Sequence, residues 1–188
     1  FIIQYLDNDR AFREISSSQA SAVTCRGETG ALTFSYAGLA GLDLSVTFTV
    51  RAAPDDRYSH WSFSLANNAG LRITNGQFPF IVMPYRLEEL GGEALVWPLG
   101  PGQLLRSPRP QDLAPDCAHT WQLVPENGTP WHYPGYTGAQ FLAYYGAQAG
   151  LFLAARDAEG YIKLIKPVHR GRGLRLGMAH VGDWPSTG

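Results

Sequence analysis

The chain has 188 residues, with 15 basic side chains against 16 acidic ones and a formal net charge of −1. That balance leaves no basic surplus to attract nucleic acid or an anionic membrane, and no apolar run approaches the ~20 residues a membrane span requires. Glycine (21) and proline (13) are plentiful and 12% of the residues are aromatic, which favours many short strands and turns over helices.

The chain opens on Phe1-Ile2-Ile3, as if in mid-strand, and we expect a segment of a longer or processed protein. Phe1 to Leu6 reads as a strand and Asp7-Asn8-Asp9 as a turn. Weaker strands at Ala22–Thr24 and Ala31–Tyr36 flank a Gly-Glu-Thr-Gly turn. Leu42 to Ala52 shows the clearest alternation, with Leu44, Val46, Phe48 and Val50 on one face and Ser45, Thr47, Thr49 and Arg51 on the other. That period of two marks a strand with one buried face. Ser59 to Ala66 repeats it with Trp61, Phe63 and Leu65, and Asn67-Asn68-Ala69-Gly70 forms a turn before Leu71 and Ile73 begin the next strand. Pro79, inside Gln77–Val82, cannot donate to a ladder and belongs at a strand start, an edge or a bulge.

Tyr85 to Leu90 has room for one helical turn, stopped by Gly91-Gly92. From Gly91 to Pro134 prolines recur and the chain reads as irregular, with short strands at Ala94–Trp97 and Thr120–Val124. Gln140–Tyr145 resumes strand character. Gly150–Ala155 is apolar without a break, which suits a strand buried on both faces. Arg156-Asp157-Ala158-Glu159-Gly160 then reads as a turn, and Tyr161–Lys166 as the returning strand of a hairpin. Leu174–His180 is a final alternation, and Gly182-Asp183-Trp184-Pro185 a linker-like tail. About a dozen strands and almost no helix give the expected fold class: all-β, a large antiparallel sandwich forming one domain over residues 1–181, with 182–188 as a tail.

The candidate chemistry is sparse. Asp55, Asp56, Asp112, Asp116, Asp157 and Glu159 sit where turns want acids for backbone reasons. His60, His119, His132, His169 and His180 show no i,i+4 pairing of a zinc site. His169 or His180 with Glu159 or Asp183 could be drawn as the acid and base of a sugar epimerase, but no spacing demands it. Cys25 and Cys117 lack zinc-type spacing and are read as two thiols or one bridge. The expectation is therefore no catalytic residue, no metal and no cofactor. The more informative run is Thr129-Pro130-Trp131-His132-Tyr133-Pro134-Gly135-Tyr136, three large aromatics in what reads as a loop. Aromatic faces accept the C–H face of a sugar, and Trp and Tyr keep a polar handle for a hydroxyl. Trp97, Trp131, His132, Tyr133, Tyr136 and Trp184 are the candidate carbohydrate contacts. The alternative is that the rings plug an open end of the sandwich.

Several motifs occur in a familiar order: Gln77-Phe78-Pro79-Phe80, Leu95-Val96-Trp97-Pro98-Leu99-Gly100-Pro101-Gly102, Tyr133-Pro134-Gly135 with Gln140–Tyr144, and Gly150 to Lys163. From about Trp61 to Trp184 the chain resembles the N-terminal β-sandwich of a group of bacterial proteins similar to glycoside hydrolases. There a galactose-mutarotase-like supersandwich precedes a (β/α)8 catalytic barrel. The resemblance implies that the catalytic carboxylates belong to a C-terminal barrel of the parent chain, and that His180–Trp184 leads towards it. It implies an ancillary, non-catalytic role with carbohydrate as a partner. A stand-alone carbohydrate-binding module, an aldose-epimerase-like enzyme and a protein-interaction domain are the alternatives. Cytoplasmic and secreted locations both remain open.

Overall fold

The computed structural model describes residues 1–89, 91–98, 100–108, 131–135, 137–165, 167–170 and 173–182. Among them the chain is all-β, fifteen strands with antiparallel pairings and no α-helix. It divides between Pro79 and Phe80 into two units, so the sandwich expected over residues 1–181 is built from two bodies, each with its own core.

The first unit pairs β1 (Ile2–Leu6) with β2 (Phe12–Ser16) and with the first part of β7 (Arg72–Pro84). Its other sheet runs β3 (Ala22–Glu28), β4 (Ala31–Ala37), β5 (Leu44–Ala52), β6 (Ser59–Asn67). Inward side chains of both sheets make one core of Ile3, Ile15 and Ile73 with Leu44 and Val46, capped by Leu39. The alternation read in Leu42–Ala52 is thus realised at its start, where Leu44 and Val46 are fully buried. The Asn67–Gly70 turn is also as expected. Asn67 is buried because its side chain closes the turn, donating to the Leu71 carbonyl at 2.7 Å and accepting the Leu71 amide at 3.0 Å. Pro79 lies in β7 beyond Gln77, the last residue paired with β1, so its missing N–H costs no bond in that ladder.

The second unit sets the sheet β12 (Gly150–Ala154), β11 (Phe141–Tyr145), β8 (Ala94–Trp97), β9 (Gln103–Arg106) against a sheet containing β10 (Trp131–Tyr133), β13 (Lys163–Ile165) and β15 (Gly173–Val181), with β14 (Val168–Arg170) also on β15. Leu95, Trp97, Leu105, Leu142 and Tyr144 meet Ile165, Leu174 and Leu176 in its core. The expected side of the last strand is confirmed for Leu174, Leu176 and Met178, all buried.

Three expectations are corrected here. Gly150–Ala154 and Lys163–Ile165 do not form a hairpin: β12 pairs with β11, and β13 pairs with β10 and β15. A shorter turn captures β12, closed by Gly146 N–H to the Ala149 carbonyl at 2.8 Å. The Asp157 segment carries the chain across to the other sheet instead. Nor is β12 buried on both faces: its residues alternate between half-buried and exposed, and Phe152 remains 52% exposed. Finally, of the helical turn expected over Tyr85–Leu90, the described Tyr85–Glu89 forms bends that lead into a turn closed by the Gly91 amide on the Glu88 carbonyl at 3.4 Å; Leu90 lies outside the described residues. The Glu93 carboxylate accepts the Leu87 amide at 2.8 Å, so these amides are satisfied without a helix.

Candidate functional site

Of the six candidate sugar contacts, the side chains of Trp97, His132 and Tyr133 are described, and Trp97 does not share a surface with the other two. Trp97 is fully buried, inward-facing with Leu95 on a strand flanked on both sides. No face of its ring is open to a sugar, and it is a core residue. Trp131, His132 and Tyr133 form strand β10 rather than a loop, paired with Ile165, Leu164 and Lys163. Tyr133 is half-buried and packs against the core. His132 is half-buried too, and its ring lies over the following turn, where a Cβ at Gly135 would come within 2.7 Å of Nε2. Gly135 also has φ +138, so both space and backbone call for glycine. The turn closes with the Thr137 amide donating to the His132 carbonyl at 3.2 Å. Tyr136 and Trp184 lie outside the described residues, as do Cys117 and the strand expected at Thr120–Val124.

A polar centre not singled out from sequence stands beside Tyr133. Lys163 is 2% exposed, flanked across the sheet by Tyr133 on β10 and His180 on β15. Its Nζ donates to the Asp157 carboxylate and, at 2.8 Å, to the Tyr161 carbonyl. Asp157 also accepts the amides of Glu159 at 3.1 Å, Gly160 at 3.2 Å and Tyr161 at 2.9 Å. The Lys163 ammonium, helped by these amides, holds the Asp157 carboxyl below the usual carboxylate range. A general base must have a lone pair free for the substrate's proton. Asp157 spends its acceptor capacity on four donors, so this centre anchors the crossing between sheets.

Other acids do the same. Asp7 accepts the amides of Asp9 and Ala11, at 3.0 and 2.9 Å, and is held low by the Arg13 guanidinium. Asp56 accepts the Tyr58 amide at 2.9 Å and meets His60 Nε2 at 2.6 Å. Glu88 accepts the amides of Gln148 and Ala149, at 2.5 and 3.2 Å. The turn role expected for Asp56 and Asp157 is thus observed in their bonds. Among the described residues no three His, Cys, Asp or Glu side chains gather as a metal site. No helix there is long and apolar enough to cross a membrane.

An open apolar feature lies on the four-stranded sheet of the first unit. Cys25, Phe34, Phe48 and Phe63 form one cross-strand row, and Gly27, Leu32, Val50 and Trp61 the next. Phe34 stacks on Phe48 at 4.6 Å, and Phe78 covers Phe48 and Phe63 at 5.4 and 5.0 Å. Beyond that cover the face emerges, leaving Val23 54%, Leu32 46% and Trp61 43% exposed. The opposite face is a field of hydroxyls, with Thr33 bonded to Thr49 at 3.2 Å and Ser35 to Thr47 at 3.5 Å.

Compared with known proteins, the chain matches no family model, no curated protein and no solved structure.

Proposed function

We propose that this chain is an ancillary, non-catalytic β-sandwich unit of a glycoside-hydrolase-like protein, supporting a catalytic barrel and contacting carbohydrate at its surface. The observation that carries the reading is that five of its acids, Asp7, Asp56, Glu88, Glu93 and Asp157, each accept a backbone amide of a neighbouring turn or loop. Glycoside hydrolysis needs one carboxyl that gives a proton and a second that attacks or activates water. Carboxylates engaged in this way suit a scaffold better than either role. The half-exposed His132 and Tyr133, on the edge strand β10, support a carbohydrate contact there.

The test combines activity and binding on the 188-residue chain. We expect no glycoside hydrolysis and no anomer interconversion. Glycan-array and calorimetric titrations, with Trp131→Ala and Tyr133→Ala alongside, report the sugar contact. Turnover abolished by Asp56→Asn or His180→Ala overturns the non-catalytic reading. A folded chain that binds no glycan removes the carbohydrate contact and leaves the scaffold role.

A further inference from the structure

We infer that the chain pairs with a second copy of itself along β3, joining two four-stranded sheets into one of eight strands about a two-fold axis at Cys25. Among the described residues β3 ends its sheet, and all seven of its own residues, Ala22–Glu28, are exposed. Its pairing with β4 is unbroken from Ala22↔Ala37 to Glu28↔Ala31, so no bulge turns the outer edge away. It carries no proline and no lysine, the devices that usually keep such an edge single. Its two charges, Arg26 and Glu28, engage each other at 3.2 Å. The face carrying Val23, Cys25 and Gly27 continues the apolar face of Leu32 and Phe34 to the rim. A regular edge whose two charges neutralise each other, bordered by open apolar surface, is a template for another strand.

The strand's own sequence selects the occupant. A two-fold at Cys25 is the one antiparallel register that uses all seven residues. It sets Cys25 opposite Cys25 of the second copy, Val23 opposite Gly27, Thr24 opposite Arg26 and Ala22 opposite Glu28. No like charges face each other, which would be destabilising. Val23 meets a residue without a side chain, so the apolar side closes without a clash. Within one copy Gly27 is not needed for space, since a Cβ there would lie 3.6 Å from Leu32, an ordinary contact. Seven paired residues span only about 24 Å. An edge of that length falls below the area of a standard stable interface, so the dimer is reversible, with a dissociation constant on the order of micromolar.

The experiment is sedimentation equilibrium from about 1 to 200 μM, together with cross-linking of the Cys117→Ser variant by diamide. Directly opposed residues in an antiparallel pair lie about 4.5 or 5.5 Å apart at Cα, inside the ~4.4–6.8 Å a disulfide tolerates. The two Cys25 thiols give up two protons and two electrons to diamide as the S–S bond forms. We expect a mass rising towards twice 20.6 kDa and a Cys25-linked dimer. Cys25→Lys sets two ammoniums opposite each other and raises the dissociation constant at least ~10-fold. Gly27→Val, which crowds Val23 of the second copy, acts in the same direction. The circular dichroism melt of each variant, taken at a concentration where the parent is monomeric, shows that the fold is intact. A chain that stays monomeric to ~200 μM, or a dimer that survives Cys25→Lys and does not cross-link, overturns the inference.

Discussion

Removing either partner of the Lys163–Asp157 pair should have very unequal consequences. Lys163 is 2% exposed while Asp157 is 18% exposed. Asp157→Ala leaves a buried ammonium with only the Tyr161 carbonyl, and also strips three backbone amides of their acceptor. Breaking a buried pair this way costs up to ~3–5 kcal/mol. The partial exposure of Asp157 lets water reach the site, so we expect about 3 kcal/mol. Lys163→Met removes the charge that needs compensation and fills similar volume. Asp157 keeps its three amides and its access to water, and the expected cost is within about 1 kcal/mol. Urea unfolding at neutral pH reads both values, with unchanged m-values showing a common denatured state. The double variant should be less destabilised than the sum of the singles, because Asp157→Ala does little harm once the cation is gone. Equal losses in the two single variants, or strict additivity, would refute the assignment. The pair also sets an acid response. Asp157 is held below its ordinary value, chiefly by Lys163. Its contribution is complete above the unfolded carboxylate value of about 3.9 and is lost as pH falls through the lower folded value. Lys163→Met should flatten the dependence of stability on pH in that acid window.

Two further outcomes follow from packing. Gly173→Ala places a Cβ 2.5 Å from the Met83 carbonyl; thermal unfolding should report a loss of roughly 1–3 kcal/mol. Gly27→Ala, with its nearest contact at 3.6 Å, is the control and should melt like the parent. Trp97→Ala empties the centre of the second core and should cost about 3–5 kcal/mol in urea. Any glycan affinity measured below its melting midpoint should remain, since a fully buried ring offers nothing to a sugar.

Alternation placed two strands well: Leu44–Ala52 and Gly173–Val181 appear within a few residues of where it sets them, and the short strand Ala94–Trp97 also lies where it was read. Phe12–Ser16 and Gln103–Arg106 were missed. Phe12 is 73% exposed and only Ile15 of β2 is buried, so its pattern carries little apolar signal. The hairpin error at Gly150–Lys166 has a different origin. Alternation and turn residues identify two strands and a turn, but not which neighbours the strands take. β12 had a closer partner in β11, and Asp157 holds a crossing that from sequence looks like a tight turn.

The candidate site was less legible because it depends on a charge compensation that the period of the strand does not reveal. Along Tyr161–Lys166 the residues fall as Tyr161, Lys163, Ile165 on one face and Ile162, Leu164, Lys166 on the other, so apolar counting does not choose between them. The structure buries Lys163 with Ile165 and leaves Ile162 45% exposed. What favours the choice is a carboxylate six residues earlier, held by three amides and bonded to the Lys163 ammonium. A charged residue can therefore mark an inward face, provided its counter-charge is anchored by the local turn. Trp97 shows the converse: in a proline-rich stretch its ring reads as a surface contact, yet alternation with Leu95 on a doubly flanked strand carries it into the core. In both cases the neighbours a strand acquires, rather than the polarity of the residue, decide whether a side chain supports the fold or faces a ligand.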